Sequence, residues 1–140
     1  MTWDLSTICD AVASAVQTTT GIRATGYPPD LPVPPCHFVQ VISIDPSTVT
    51  AAHSEITVRI TSMVPRQSDR IGHQTLYALM SHNAAGGIRD ALWPSSSGNY
   101  LGVSGLGFVS LSTAAPGAIS IGDAEFLAVE HTLTMIARRS

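Results

Sequence analysis

"AISIGDAEFLAVEHTLTMIARRS", residues 118–140, admits two readings, and the fold class turns on which is taken. Phe126, Val129, Leu133 and Ile136 fall at helical spacing, whereas Leu127, Val129, Leu133 and Met135 keep to the odd positions of an alternating strand. Thr132 and Thr134 favour β structure and would share a face with Glu130, as in a sheet with one polar side. The segment is read as a strand. "EITVRITSMV", residues 55–64, alternates more cleanly: Ile56, Val58 and Ile60 face one way, and Thr57, Arg59 and Thr61 the other. Both strands therefore carry one apolar face and one that is wet or packs on something polar.

Outward from these two strands the period changes. Leu5, Ile8, Cys9, Val12 and Val16 recur at helical spacing, with Asp4 at the start and Gly21 as a C-terminal stop. "IRATGY" is a short strand candidate, and "HFVQVISI" a more apolar one. Beyond Pro65, "SDRIGHQTLYALMSH" spreads Ile71, Thr75, Leu76, Leu79 and Met80 over one helical face, and "IRDALW" makes a second short helix between Gly87 and Pro94. The Gly-rich "YLGVSGLGFVSLST" and a turn around Pro116-Gly117 lead into the closing strands. Helix, three strands, a helix pair, then two or three strands predict an α+β fold: a mixed, mainly antiparallel sheet with helices packed on one face.

"YPPDLPVPPC", residues 27–36, sets five prolines within eight positions, which enforces an extended, largely unpaired loop. Only 27 residues precede Pro28, too few to bury a core, so the loop joins elements inside a single domain spanning 1–140. As a groove ligand it has Pro-x-x-Pro spacing, but the nearest arginine, Arg23, lies too far upstream to anchor its polarity.

Charged residues make up 12% of the chain, about half of what a typical soluble domain carries, while 30 residues are Ser or Thr. A surface so poor in charge is poorly guarded against association, and part of it is expected to be covered by other subunits. The net charge is −3, from seven arginines and no lysine against ten carboxylates, which gives no basic footprint for nucleic acid. The start lacks a basic region and no apolar run nears the roughly 18 residues of a membrane span, so an intracellular, soluble protein with no membrane partner is expected. Two cysteines, Cys9 and Cys36, form no metal motif, and Cys9 falls on an apolar helical face where a free thiol is common.

Little here resembles an active site, and the expectation is no enzyme, no metal and no cofactor. "GVSGLG", residues 102–107, approaches a nucleophile elbow, but the residue two beyond Ser104 is Leu106 rather than glycine. A small serine hydrolase using Ser104 with a histidine stays the rival from another class, and a Gly-rich strand or bulge is the favoured reading. His37, His53, His73, His82 and His131 share no ligand spacing and are read as surface or interface histidines. Asp123 and Glu125 are read as turn and solvent residues, and Arg66 and Arg70 as partners of Asp69.

Several of these phrases, in this order, are similar to the tail terminator proteins of long-tailed bacteriophages, and the similarity covers nearly the whole chain. "TGIRATGYPPDLPVPP" resembles the end of their first helix, a short strand and an extended loop carrying Asp and a Pro pair. "EITVRITSMVPRQSDRIGHQTLYALMSH" resembles their strand, Arg/Asp connection and amphipathic helix, and "GGIRDALW" their short helix, with Gly87 where a capping Ser or Thr is common. "VSGLGFVSL" with "AISIGDAEFLAVEHTLTM" resembles their closing hairpin, Phe126-Leu127-Ala128-Val129 standing at its start.

The resemblance implies a structural virion protein of the tail neck, assembled in the host cytoplasm as a six-membered ring of identical subunits. Such a ring caps the head-proximal end of the tail tube, stops its polymerisation and docks the head-side connector. Its partners would be itself, the major tail tube protein and the connector proteins, with genomic DNA passing the lumen without specific binding. A head-to-tail adaptor or minor tail protein of the neck has similar architecture and is the alternative. On this reading the subunit or ring contacts are expected from Tyr27, Pro28, Pro29, Asp30, Leu31 and Pro34 of the loop, and from Arg59, Arg66, Arg138 and Arg139. Low charge suits a subunit that buries one face against each neighbour, and a lack of positive charge suits a pore that must not hold DNA.

Overall fold

A computed structural model describes residues 4–28, 35–45, 53–65, 69–80, 87–94, 100–103, 105–113, 117–121 and 124–138. Helix α1 (Leu5–Thr20) begins where Asp4, in extended conformation, accepts a hydrogen bond from Thr7 N at 2.7 Å. That N-cap holds the Asp4 carboxyl below its usual range. The helix ends at Gly21, whose φ of 74° lets its N–H bond back to Gln17 O at 2.9 Å. A Cβ there would meet nothing within 4 Å, so Gly21→Ala is expected to cost about 1 kcal/mol, all of it conformational, as a shift in the denaturant midpoint at unchanged m.

One very short strand and two long ones follow from the proline and alternation patterns. Strand β1 (Ala24–Thr25) is much shorter than the six-residue "IRATGY" expected, and pairs in parallel with β2 (Cys36–Asp45) only at His37 and Phe38. Just beyond it, at Gly26, an added Cβ would fall onto the Asp10 carboxylate and lie 3.1 Å from Asp10 N, so the chain can pass this close to α1 only with glycine. Strand β2 pairs antiparallel with β3 (His53–Pro65), with a bulge between Val41 and Ser43. Helices α2 (Asp69–Met80) and α3 (Ile88–Leu92) come next, then β4 (Leu106–Thr113), β5 (Gly117–Ile121) and β6 (Ala124–Arg138).

The C-terminal segment is a strand, and it is the centre of the sheet. One edge of β6 pairs with the whole of β3, from His53 opposite Arg138 to Pro65 opposite Phe126. Its other edge is shared: β4 takes His131 to Ala137 and β5 takes Ala124 to Ala128. The order is β1-β2-β3-β6-β4, with β5 also on β6, and every pairing except β1 with β2 is antiparallel. The fold is thus α+β, with a six-stranded, mainly antiparallel sheet.

The sheet has two unlike faces. Val39, Ile56, Val58, Ile60, Val64, Leu127, Val129, Leu133 and Met135 lie on one, in a single core with Ile8, Val12 and Val16 of α1, Leu76 and Leu79 of α2, and Ile88 and Leu92 of α3. Each such side chain taken from water contributes about 1.5–3 kcal/mol. The other face carries Thr57, Arg59, Glu130, Thr132 and Thr134, as the alternation requires. One end of it departs from that expectation: Cys36, Met63 and Ala128 form a second, smaller buried cluster joined by Phe38 and Phe126, and Thr61 beside them is also buried. Neither Cys9 nor Cys36 is in a disulfide, and both are buried.

Two of the histidines are not at the surface. His37 and His131 are each 1% exposed, on the helix-covered face. The imidazole of His37 is tenable there because polar partners meet it on both sides. Thr20 spends its only hydroxyl hydrogen on Val16 O at 2.7 Å, so it must accept at 3.1 Å from His37 Nε2–H, which leaves His37 Nδ1 to accept from Ser62 Oγ–H at 2.7 Å. The string ties the last turn of α1 to β2 and β3. Burial pushes the His37 pKa down to about 4, with the neighbouring His131 adding to the effect.

Candidate assembly surface

Of the residues expected to meet a neighbour, Tyr27, Pro28, Arg59 and Arg138 fall within the described residues. Tyr27 is the most exposed large apolar residue described, at 64%; it follows β1, which pairs with β2 at His37 and Phe38, and its carbonyl accepts from Thr25 Oγ1 at 2.8 Å. Arg138 sits at the end of β6, its backbone paired with His53. Arg59 lies on the polar face, and its Nε is 3.2 Å from a Glu130 oxygen. The two side chains are 38% and 46% exposed, so that pair stabilises the fold by at most about 1 kcal/mol. Pro29, Asp30, Leu31, Pro34, Arg66 and Arg139 fall outside the described residues, as do Ser104 and Asp123.

What the sequence reading missed is at the two ends of the sheet. Strand β1 covers only the first residues of β2, so from Val39 to Asp45 no described strand lies along its outer side. Ile42 and Ile44 are 44% and 43% exposed there. At the far end β6 is the one described strand that pairs with β4, and Val109 is 47% exposed. Periodicity could not flag these side chains, because an apolar residue in a strand looks the same whether or not a neighbour follows.

Beside β4 stands an aromatic group. Trp93, half-exposed, meets the Phe108 ring edge-on at a centroid distance of 5.1 Å, and Arg89 stacks over Trp93 with Cζ at 4.1 Å from the ring centre. Tyr100 packs on the Phe108 ring at 5.5 Å and donates its hydroxyl to Leu92 O at 2.6 Å, burial pushing its pKa up. Ahead of β4, Tyr100–Gly102 form a single 3-10 turn in which Leu101 is held at a φ of 54°, and Gly102 and Gly105 have φ of 75° and 80°.

Among the described residues no group of three or more His, Cys, Asp or Glu is placed to hold a metal ion, and no helix is long and apolar enough to cross a membrane. Among the described residues the geometry is a sheet with one helix-covered face, one largely polar face, and two edge strands, β2 and β4, along whose outer sides no charged residue stands from Val39 to Ile44 or from Leu106 to Thr113. No protein-family model matches the chain, and no curated protein matches it significantly.

Proposed function

We propose that this protein is a structural subunit of a homo-oligomeric ring, acting as a tail terminator at the head-proximal end of a bacteriophage tail tube. Two things support the reading. The chain resembles that family from its first helix to its closing strands, and the order of elements on which the resemblance rests is the order the fold has. The observation that carries the ring itself is that, among the described residues, no strand lies along the outer side of β2 from Val39 to Ile44 or of β4 from Phe108 to Thr113, and neither stretch carries a charge. Exposed edges of this kind are normally protected by charge or by a covering element, and their survival in a chain with only 12% charged residues argues that another chain covers them.

On this reading the segment at 27–36, whose prolines restrict its backbone, acts as an arm that loses little entropy when it contacts a neighbour or the next ring. Electron micrographs of tails assembled with and without the protein test the role. Overlong or headless tubes of variable length are expected without it. Tails of normal length that fail to join heads would move the assignment to a head-to-tail adaptor, and unchanged tails would end the neck reading altogether.

A further inference from the structure

The two open edges fit each other, and the fit fixes a register. Along β2, His37 N–H points outward to Arg23 O at 2.9 Å, so by alternation the main-chain groups of Val39 and Val41 also point outward. The bulge between Val41 and Ser43 resets the phase, and Ile44, opposite Ile56, returns to the helix-covered face with its main chain outward. Along β4, Leu106 N–H turns away from β6 to Val103 O at 3.2 Å, so Leu106 and Phe108 point outward. There too a bulge intervenes, between Phe108 and Ser110, after which Leu111 and Thr113 point outward on the helix-covered face. Both strands thus space their same-face, outward residues three apart across a bulge: Val41 and Ile44 in one, Phe108 and Leu111 in the other.

Polarity agrees as well. Three antiparallel steps separate β2 from β4, so the two strands run in opposite directions, and a second copy added to the sheet in the same orientation brings its β2 antiparallel to β4. We infer that the β4 edge of one copy pairs with the β2 edge of the next, Val39 opposite Thr113, Val41 opposite Leu111 and Ile44 opposite Phe108, making one sheet continuous between subunits. In this register the two bulges lie against each other, apolar side chains stay on the helix-covered face throughout, and Gln40 meets Ser112 on the polar face. A second copy is the occupant because both halves of the match are on this one chain. The contact is heterologous, so it propagates from copy to copy and closes where the rotation allows. The inference deepens the ring reading and does not depend on the tail.

Gln40 and Ser112 are exposed, and within one chain they lie three strand spacings apart, about 14 Å, too far for a disulfide. The full-length double variant Gln40→Cys with Ser112→Cys, oxidised and run on a non-reducing gel, is expected to give a ladder of covalent oligomers. An equimolar mixture of the two single variants should stop at dimers, because each chain then offers one linkable edge. Native Cys9 and Cys36, both buried, stay out of the reaction. No ladder from the double variant, or an equal ladder from Gln40→Cys with Ser110→Cys, overturns the inference. If sedimentation still finds a ring in the first of those cases, the ring reading survives with its interface elsewhere.

Discussion

Leu133→Ala is expected to remove about 3–5 kcal/mol of unfolding free energy, read as a lower urea midpoint, and Thr134→Ala less than about 1 kcal/mol. Leu133 is fully buried and sits in the central strand, with Val58 opposite it on β3 and Leu111 on β4. Both flanking strands are fixed by long ladders, so the site has little freedom to collapse and the cavity term adds to the lost transfer energy. The adjacent Thr134 points to the other face and is only half-buried. Domains of this size are stable by about 5–15 kcal/mol, so the first change consumes much of the margin. Equal effects at the two positions would contradict the strand phase of the C-terminal segment.

Acid is expected to weaken the fold through His37 well before the carboxylates are all protonated. In the unfolded chain this histidine titrates near its ordinary 6.5, and in the native state it is pushed to about 4, chiefly by burial and then by His131. Its folded pKa is depressed, so above pH 6.5 both states are neutral and its contribution is fully present. Between 6.5 and about 4 the unfolded chain binds a proton that the native state refuses, and stability falls. The accumulated loss is about 3 kcal/mol. Protonating Nδ1 would also cost the bond that Ser62 donates at 2.7 Å. His37→Gln, which cannot titrate, should start less stable at pH 7.5 and lose less on acidification. Denaturant midpoints for both proteins from pH 7.5 to 4 measure the difference. Parallel curves would show that His37 is not the source of the acid sensitivity.

The same two histidines mark where sequence reasoning stopped. His37 lies in the apolar run "HFVQVISI" and His131 alternates with Leu133 and Val129, so each was already in phase with the core. The residue type argued for the surface, and only the hydroxyls of Thr20 and Ser62, brought from α1 and β3, make burial of His37 tolerable. Met63 and Ala128 were equally in phase with the polar face, yet they are buried with Cys36 at one end of it. Alternation assigns a face, and burial depends on what lies against that face.

Local chemistry was sufficient for the elements. Asp4 and Gly21 bound α1, Pro65 ends β3, Gly87 and Pro94 bracket the segment that holds α3, and alternation fixes which face of β3 and β6 is apolar. These follow from interactions within a few residues, which a sequence carries directly. The placing of β6 between β3 and β4, the bulges that let one edge match the other, and the stacking of Arg89 and Trp93 on β4 were decided only in three dimensions. They depend on which distant strands meet and in what register, and the energy that selects a register is shared across the whole sheet rather than written in any one of its strands.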